Sequence, residues 1–127
     1  MYRIGAKEID AVRSLLESKK IWRYEEESET KKLERELEAK LGSKNVLAVS
    51  NGTGALTAAL AALEIGPGDE VIIPAYTFIA TAYAVLAVGA VPIIANVDAS
   101  LTLDPNDIEK YKTDDERLLI QWLQCQL

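Results

Sequence analysis

Apolar and polar residues follow the spacing of two helices over the first third of the chain. The first predicted helix covers Lys7–Ser18. The second ends at Leu41 and is followed by Gly42, a residue typical of helix ends. A polar connector, Ile21–Thr30, lies between them. The apolar positions at helical spacing are Ala11, Val12, Leu15 and Leu16 in the first helix and Leu33, Leu37 and Leu41 in the second. We therefore expect a helical segment over residues 1–42.

After residue 42 the pattern changes to short apolar runs that alternate with helices. The predicted strands are Val46–Val49, Glu70–Pro74 and Val91–Val97. The predicted helices are Ala55–Leu63, Thr77–Val88 and one that starts at Asp104-Pro105. The helix over residues 77–88 has few charges, so we expect both of its faces to be covered. Strands that are apolar on both faces and separated by helices pair in parallel, which predicts the α/β class.

Composition narrows the function classes. The chain has 127 residues, about one domain, and a formal net charge of −6, which argues against a nucleic-acid partner. No apolar run is long enough to cross a bilayer, and the N-terminus lacks the apolar core of a signal peptide. The single cysteine, Cys125, argues against a disulfide framework. We expect a soluble cytoplasmic protein without a membrane partner.

Histidine is absent from the chain. Catalysis of the Ser-His-Asp or Cys-His kind cannot be assembled without it, and we expect no metal site. Any chemistry must therefore use carboxylates, lysine, tyrosine or a cofactor.

The turn Ser50–Gly54 joins an apolar run to an alanine-rich helix. Its glycines let backbone N–H groups approach a ligand, and a helix N-terminus favours a phosphate. A glycine-rich connection capped by Ser50 or Thr53 remains an open alternative. The turn has neither the spacing of a P-loop nor the third small residue of a dinucleotide-binding fingerprint, where Thr57 stands instead. Both of those nucleotide motifs are thus disfavoured.

Two aromatic residues follow the second predicted strand. Tyr76 and Phe78 would lie near the glycine turn if the two strands are neighbours. A phosphate site beside an aromatic face suits a flat heteroaromatic phosphate. A core position for Phe78 is the alternative that its spacing favours.

Four motifs lie between Ser50 and Ile93: SNGTGAL, GPGDEV, PAYTFIAT and GAVP. In their order and spacing they resemble the DegT/DnrJ/EryC1/StrS sugar aminotransferases, which are pyridoxal-phosphate enzymes of fold type I. The resemblance covers about Ile4 to Tyr111, and NVDASLTLDPNDIE is similar to the family's Asp-rich strand end and following helix. It implies an aspartate-aminotransferase-like large domain over residues 43–112, as a partial three-layer α/β/α sandwich with mostly parallel strands.

The resemblance implies roles for individual residues. Gly52, Thr53 and Gly54 match positions that bind the phosphate of pyridoxal 5′-phosphate, and Phe78 matches the aromatic residue that stacks on its ring. Position 54 is often alanine in the family, so Gly54 is a mild departure. The Trp22–Tyr24 connector more weakly matches a region near the active-site entrance of family dimers.

An activity and partners are implied as well. Family members move an amine from an amino acid, usually glutamate or glutamine, to a keto-sugar nucleotide or keto-cyclitol in nucleotide-sugar biosynthesis, and we expect a homodimer. The family's Schiff-base lysine and its aspartate partner of the pyridine nitrogen lie beyond position 127. The lysines of this chain are Lys7, Lys19, Lys20, Lys31, Lys32, Lys40, Lys44, Lys110 and Lys112, none in that context. The chain alone is therefore expected to carry the phosphate site but no catalytic residue.

The last fifteen residues, TDDERLLIQWLQCQL, differ from the strand that the family has after Lys112. Their apolar positions have helical spacing, so we expect a non-family tail over 113–127, produced by truncation or a frameshift. A natural short protein is the rival interpretation. The leading functional interpretation is an N-terminal aminotransferase fragment. The alternatives are a non-catalytic module that binds a phosphorylated ligand and a dimer partner of a full-length paralogue.

Overall fold

The computed structural model describes residues 4–111 and 118–120. The chain divides into two compact units, Met1–Ala48 and Val49–Leu127. Within the described residues, no helix has the length and apolar character needed to span a membrane.

The first unit contains two helices, as predicted. Helix α1 covers Ala6–Ser18, and its N-terminus is closed by a 2.7 Å bond from the Gly5 N–H to the Glu8 carboxylate. Helix α2 covers Glu29–Leu41 and is capped by Ser28, whose hydroxyl oxygen accepts a bond from the Lys31 N–H. Gly42 follows α2 with φ 67°. A positive φ is readily adopted by glycine, so its predicted role as the end of this helix is confirmed.

The predicted apolar face of α2 is not its buried face. Leu33 and Leu41 are 50% and 69% exposed. The buried residue of α2 is Glu34, which is 8% exposed. Two of the three leucines at helical spacing are therefore exposed, and α2 directs the Glu34 carboxylate toward the groups that bond to it.

The second unit is a parallel sheet with helices. Its elements are α3 (Gly52–Ala62), β1 (Glu70–Pro74), α4 (Ala80–Ala87), β2 (Val91–Ala95), α5 (Pro105–Ile108), a 3-10 turn (Glu109–Tyr111) and β3 (Leu118–Ile120). Strand β1 lies in the centre and pairs in parallel with both β2 and β3. Ile72 is opposite Ile93 on one side and Ile120 on the other.

Helices cover both faces of this sheet. Val71 and Ile73 of β1 pack in one cluster with Leu60 of α3 and Val85 of α4. Ile72 points to the opposite face, where a second cluster contains Ala95, Leu103 and Ile108. Because successive residues of a strand point to opposite faces, β1 supplies both clusters. The predicted α/β class and its layered arrangement are confirmed.

The predicted first strand, Val46–Val49, is not a strand in the structure. The N–H of Val46 donates to the Glu38 carboxylate at 3.0 Å, and the N–H of Ala48 donates to the Glu34 carboxylate at 2.8 Å. Two N–H groups of this segment therefore bond to side chains of α2 where a sheet neighbour was expected.

The helix after β1 also differs from the prediction. It begins at Ala80 and not at Thr77. Its faces are not both covered, because Tyr83 and Leu86 are more than half exposed. The later helix start is as predicted: the Asp104 side chain accepts a bond from the Asn106 N–H, and Pro105 is the first residue of α5.

The helix expected from the spacing of the tail is wrong at Leu118–Ile120, which form β3. These residues complete the pairing of β1 on its second side, so the backbone is extended there. The other residues of the tail, including Trp122 and Leu123, lie outside the described residues.

Candidate cofactor site

The turn Ser50–Gly54 leads directly into α3, which begins at Gly52. The residue that caps this helix is Asn51. Its side-chain oxygen accepts a 2.8 Å bond from the Gly54 N–H, and its carbonyl accepts a 3.0 Å bond from the Ala55 N–H. The sequence-based alternatives, Ser50 and Thr53, are therefore wrong as caps. An asparagine in this position is a common solution, since its short side chain reaches the third N–H of the helix.

Two backbone donors remain at the start of α3. The N–H groups of Gly52 and Thr53 have no acceptor within the part of the chain that the structure describes. The first N–H groups of any helix lack intrahelical partners, and they carry a partial positive charge. The N–H of Gly54 differs from them because Asn51 already occupies it. The predicted phosphate site at this turn therefore has two available backbone donors, at Gly52 and Thr53.

The space around Gly52 is open. A Cβ built on this residue would have nothing within 4 Å, and its φ is not in the positive region. Gly54 is more confined, since a Cβ there would lie 3.4 Å from the side-chain oxygen of Asn51. Open space above two donors fits a phosphate, whose oxygens can approach the backbone closely.

The aromatic residues lie in the loop between β1 and α4. Tyr76 and Phe78 are each 68% exposed. The alternative of a core position for Phe78 is therefore wrong. The loop follows the carboxyl end of β1, and α3 runs back from its N-terminus to the loop that starts β1. The order of the elements places the glycine turn and the aromatic loop at the same edge of the sheet, where ligands of parallel sheets bind.

Two buried carboxylates were missed by the sequence-based prediction. Asp107, 3% exposed, accepts a 2.7 Å bond from the Asn96 N–H and a 2.6 Å bond from Lys110. The Asn96 N–H and then Lys110 hold the pKa of Asp107 below its usual value. In the first unit, the Ala48 N–H and then the Arg23 side chain lower the pKa of Glu34. A carboxylate between the apolar positions of α2 was the available sequence signal for Glu34.

A cavity of about 540 Å³ lies in the first unit. It is lined by α1, by the connector and by the first turn of α2, including Val12, Leu15 and Lys20. Two of its charged residues, Glu29 and Lys32, pair with each other at 2.7 Å. None of the residues predicted to bind the cofactor lines this cavity.

Comparison with known proteins gives a family match that includes the glycine turn and the aromatic loop. The profile of the DegT/DnrJ/EryC1/StrS aminotransferase family matches residues 2–120. The chain belongs to this family. The matched range contains the glycine turn, the aromatic loop and all three strands, so the family's N-terminal portion accounts for the fold described above.

The individual relatives match between about half and nine-tenths of the chain and are themselves much longer. A UDP-N-acetyl-3-dehydro-alpha-D-glucosamine 3-aminotransferase of Acidithiobacillus ferrooxidans is 56% identical over 52% of the chain and 18% of the relative. The structure of an aminotransferase from Psychrobacter cryohalolentis is 38% identical, with a TM-score of 0.81 over 88% of this chain and 28% of that one. The E. coli GDP-4-keto-6-deoxy-D-mannose-3-dehydratase with bound hydrated PLP is 27% identical, with a TM-score of 0.76 over 90% and 31%. The chain thus spans less than a third of each relative.

Proposed function

We propose that the chain is the N-terminal part of a pyridoxal-phosphate-dependent aminotransferase that acts on keto-sugar nucleotides or related keto-cyclitols. The observation that carries the proposal is the pair of N–H groups at Gly52 and Thr53, which have no acceptor among the described residues, together with the open space around Gly52. The relative from Acidithiobacillus ferrooxidans, named for a keto-sugar nucleotide, supports the substrate class. The E. coli dehydratase with bound PLP supports the cofactor.

Within this proposal the residues of the glycine turn bind the phosphate and the aromatic loop binds the ring. The N–H groups of Gly52 and Thr53 donate to the phosphate, and the partial positive charge at the start of α3 favours its negative charge. The Thr53 hydroxyl adds a donor, and Phe78 stacks on the pyridine ring. The Gly54 N–H donates to the Asn51 side chain, and the absence of a side chain at Gly54 allows the phosphate to approach the turn closely. Bound pyridoxal phosphate supplies an electron sink for chemistry at the carbon that bears the amine.

We further propose that this chain does not transaminate by itself. Two of its lysines are held by carboxylates: Lys32 by Glu29 at 2.7 Å and Lys110 by Asp107 at 2.6 Å. These hydrogen bonds raise the pKa of both amines. A more basic amine stays protonated at neutral pH and is a poorer nucleophile, which argues against either as the lysine that bonds covalently to the cofactor.

The test is cofactor binding to the full chain with a matched control ligand. Pyridoxal phosphate and pyridoxal, which lacks the phosphate, are titrated separately and followed by absorbance and fluorescence. We expect tighter binding of the phosphate ester and no lysine labelled after borohydride reduction. Gly52→Ala keeps the backbone N–H but places a Cβ in the open space through which the phosphate would approach it. It should therefore lengthen that hydrogen bond and weaken pyridoxal phosphate about tenfold, which corresponds to about 1.4 kcal/mol. Equal affinity of the two ligands would contradict the phosphate site.

The aromatic role has its own matched pair of variants. Phe78→Ala should weaken both ligands by a similar factor, because both contain the ring that it stacks on. Tyr83→Ala removes another exposed aromatic side chain, on α4, and should change neither affinity. Equal effects of the two substitutions would remove Phe78 from the site.

One observation favours the dimer-partner alternative. Ile79, the residue that caps α4, and Tyr83 and Leu86 of α4 are spaced along one side of this helix and are each more than half exposed. Burying such a face stabilises an association, and a homodimer or a mixed dimer with a full-length paralogue would bury it. Sedimentation of the chain with and without a full-length relative tests this: a monomer under both conditions would contradict it.

A further inference from the structure

The buried face of α4 contains a hydroxyl group. The buried residues of this helix are Thr81, Ala84 and Val85, and Thr81 is 4% exposed. Burying a hydroxyl group costs free energy unless the group is hydrogen-bonded. The Thr81 hydroxyl lies 2.8 Å from the hydroxyl of Thr77, and either oxygen can be the donor. The buried hydroxyl of α4 is therefore bonded to a residue of the aromatic loop, which joins β1 to α4.

This pair of hydroxyls is not the cap of α4. The residue at the cap position is Ile79, which makes no capping bond through its side chain. A capping side chain accepts a bond from one of the first N–H groups of its helix. The Thr77 side chain bonds to the hydroxyl of Thr81 and not to such an N–H. The pair thus connects the aromatic loop to α4 without closing the N-terminus of the helix.

Thr81 bonds both to Phe78 and to the residue before it. Its N–H donates to the Phe78 carbonyl at 3.0 Å, and its hydroxyl pairs with Thr77. At the start of the loop, the Ala75 N–H donates to the Ala95 carbonyl at 2.8 Å. Among the described residues, no other hydrogen bond involves Thr77. The hydroxyl pair is therefore the bond that restrains the loop backbone directly before Phe78.

The Phe78 ring depends on this restraint because core packing does not hold it. Its side chain is more than half exposed. A ring that samples several directions loses conformational entropy when a ligand fixes it, and this loss lowers affinity. A backbone that already directs the ring toward the ligand reduces the loss. The bonds from Thr81 restrain that backbone on both sides of the Phe78 Cα.

We propose that Thr81 is a positioning residue for Phe78 and acts through the hydroxyl of Thr77. In this role Thr81 bonds to the aromatic loop and not to the cofactor. The inference rests on the proposed function, in which Phe78 stacks on the pyridine ring. Pyridoxal phosphate and pyridoxal contain the same ring. Loss of the hydroxyl pair should therefore weaken both ligands by the same factor and leave the preference for the phosphate ester unchanged.

The variants separate the hydroxyl from the shape of the side chain. Thr81→Val removes the hydroxyl and keeps the branched shape, whereas Thr81→Ser keeps the hydroxyl and should restore binding. Thr77→Val removes the other half of the pair and serves as a second variant if Thr81→Val does not fold. Thr102→Val is the matched control, since its hydroxyl also lies 2.8 Å from another hydroxyl, that of Ser100, in the loop after β2. Circular dichroism checks that each variant is folded.

The first measurement is the affinity of the full chain for pyridoxal phosphate and for pyridoxal. Thr81→Val and Thr77→Val should each lose about two- to tenfold for both ligands, the range that corresponds to ring stacking. Thr81→Ser and Thr102→Val should bind as the wild type does. In a Phe78→Ala background, Thr81→Val should cause no further loss, because the ring that it positions is gone.

The second measurement needs no ligand. Phe78 is the single phenylalanine of the chain, so isotope-labelled phenylalanine reports on this residue alone in nuclear magnetic resonance spectra. In Thr81→Val we expect the amide and ring signals of Phe78 to shift and broaden, because the released loop exchanges between conformations. The spectrum of Thr102→Val should match that of the wild type.

The outcomes distinguish the inference from the proposed function. When Phe78→Ala weakens both ligands, unchanged affinity or an unchanged phenylalanine spectrum in Thr81→Val and Thr77→Val overturns the inference. A loss confined to pyridoxal phosphate, or a further loss in the Phe78→Ala background, also overturns it, since Thr81 would then act on another part of the chain. If Phe78→Ala weakens neither ligand, the proposed stacking role fails. The phenylalanine spectrum then still decides whether Thr81 positions Phe78.

Discussion

Three glycines of the second unit, Gly52, Gly68 and Gly89, differ in what an added methyl group would contact. We predict that substitution by alanine stabilises the fold at Gly52, destabilises it at Gly68 and destabilises it most at Gly89. At Gly52 the backbone is unstrained and a Cβ has nothing within 4 Å. At Gly68 the space is equally open, but φ is +96°. At Gly89 φ is +82°, and a Cβ would lie 3.0 Å from Cγ and 3.4 Å from Cδ of Pro67. The series therefore separates backbone strain from steric contact.

The magnitudes follow from these differences. Gly52→Ala should stabilise the fold by about 0.4–1 kcal/mol, because it restricts only the unfolded chain. A left-handed backbone costs a residue with a Cβ about 1–2 kcal/mol, so Gly68→Ala should lose about 1 kcal/mol after the same unfolded-state gain. Gly89→Ala adds contact with the rigid Pro67 ring, at about 1–3 kcal/mol for overpacking. The free energies of unfolding of Gly52→Ala and Gly89→Ala should therefore differ by about 3 kcal/mol.

Urea unfolding followed by far-ultraviolet circular dichroism measures the series at one low protein concentration. The slope of the unfolding free energy with urea should stay constant, so that midpoints report stability. The reasoning is refuted if Gly52→Ala loses as much stability as Gly68→Ala. That result would mean that the fold itself requires Gly52, and the main support for a phosphate site would be gone.

Three further substitutions or conditions test the core, the cap and the buried carboxylates. Ile72→Ala removes a fully buried side chain and should cost about 2–5 kcal/mol, against about 0.5–1.5 for Ile72→Val, by urea unfolding. Asn51→Ala should cost about 1 kcal/mol and should speed hydrogen exchange at the Gly54 N–H, because the cap is lost. Stability should fall as the pH drops below about 4, since the pKa values of Glu34 and Asp107 are lowered in the folded chain and the unfolded chain binds more protons there. Asp107→Asn should make that fall shallower, and an unchanged pH profile would contradict its assigned contribution.

The sequence by itself determined those features that depend on neighbouring residues along the chain. The two N-terminal helices, the Gly42 cap and the start of α5 at Asp104-Pro105 are of this kind, because local spacing and capping chemistry decide them. The α/β class also followed from strand and helix order. The motifs from Ser50 to Ile93 were enough to indicate the family that the profile match then showed.

Only the tertiary structure decided which partner each polar group takes. Val46–Val49 has the composition of a strand, yet the N–H groups of Val46 and Ala48 bond to carboxylates of α2, which lie 8 and 14 residues away in sequence. Spacing favoured a core position for Phe78, but packing leaves it exposed. The same holds at the glycine turn. Residue types identified a candidate phosphate site. The fold determined that the Gly54 N–H donates to the Asn51 side chain, whereas the N–H groups of Gly52 and Thr53 have no acceptor among the described residues. The physical reason is that a backbone donor bonds to the nearest well-placed acceptor, and three-dimensional packing determines which acceptor that is.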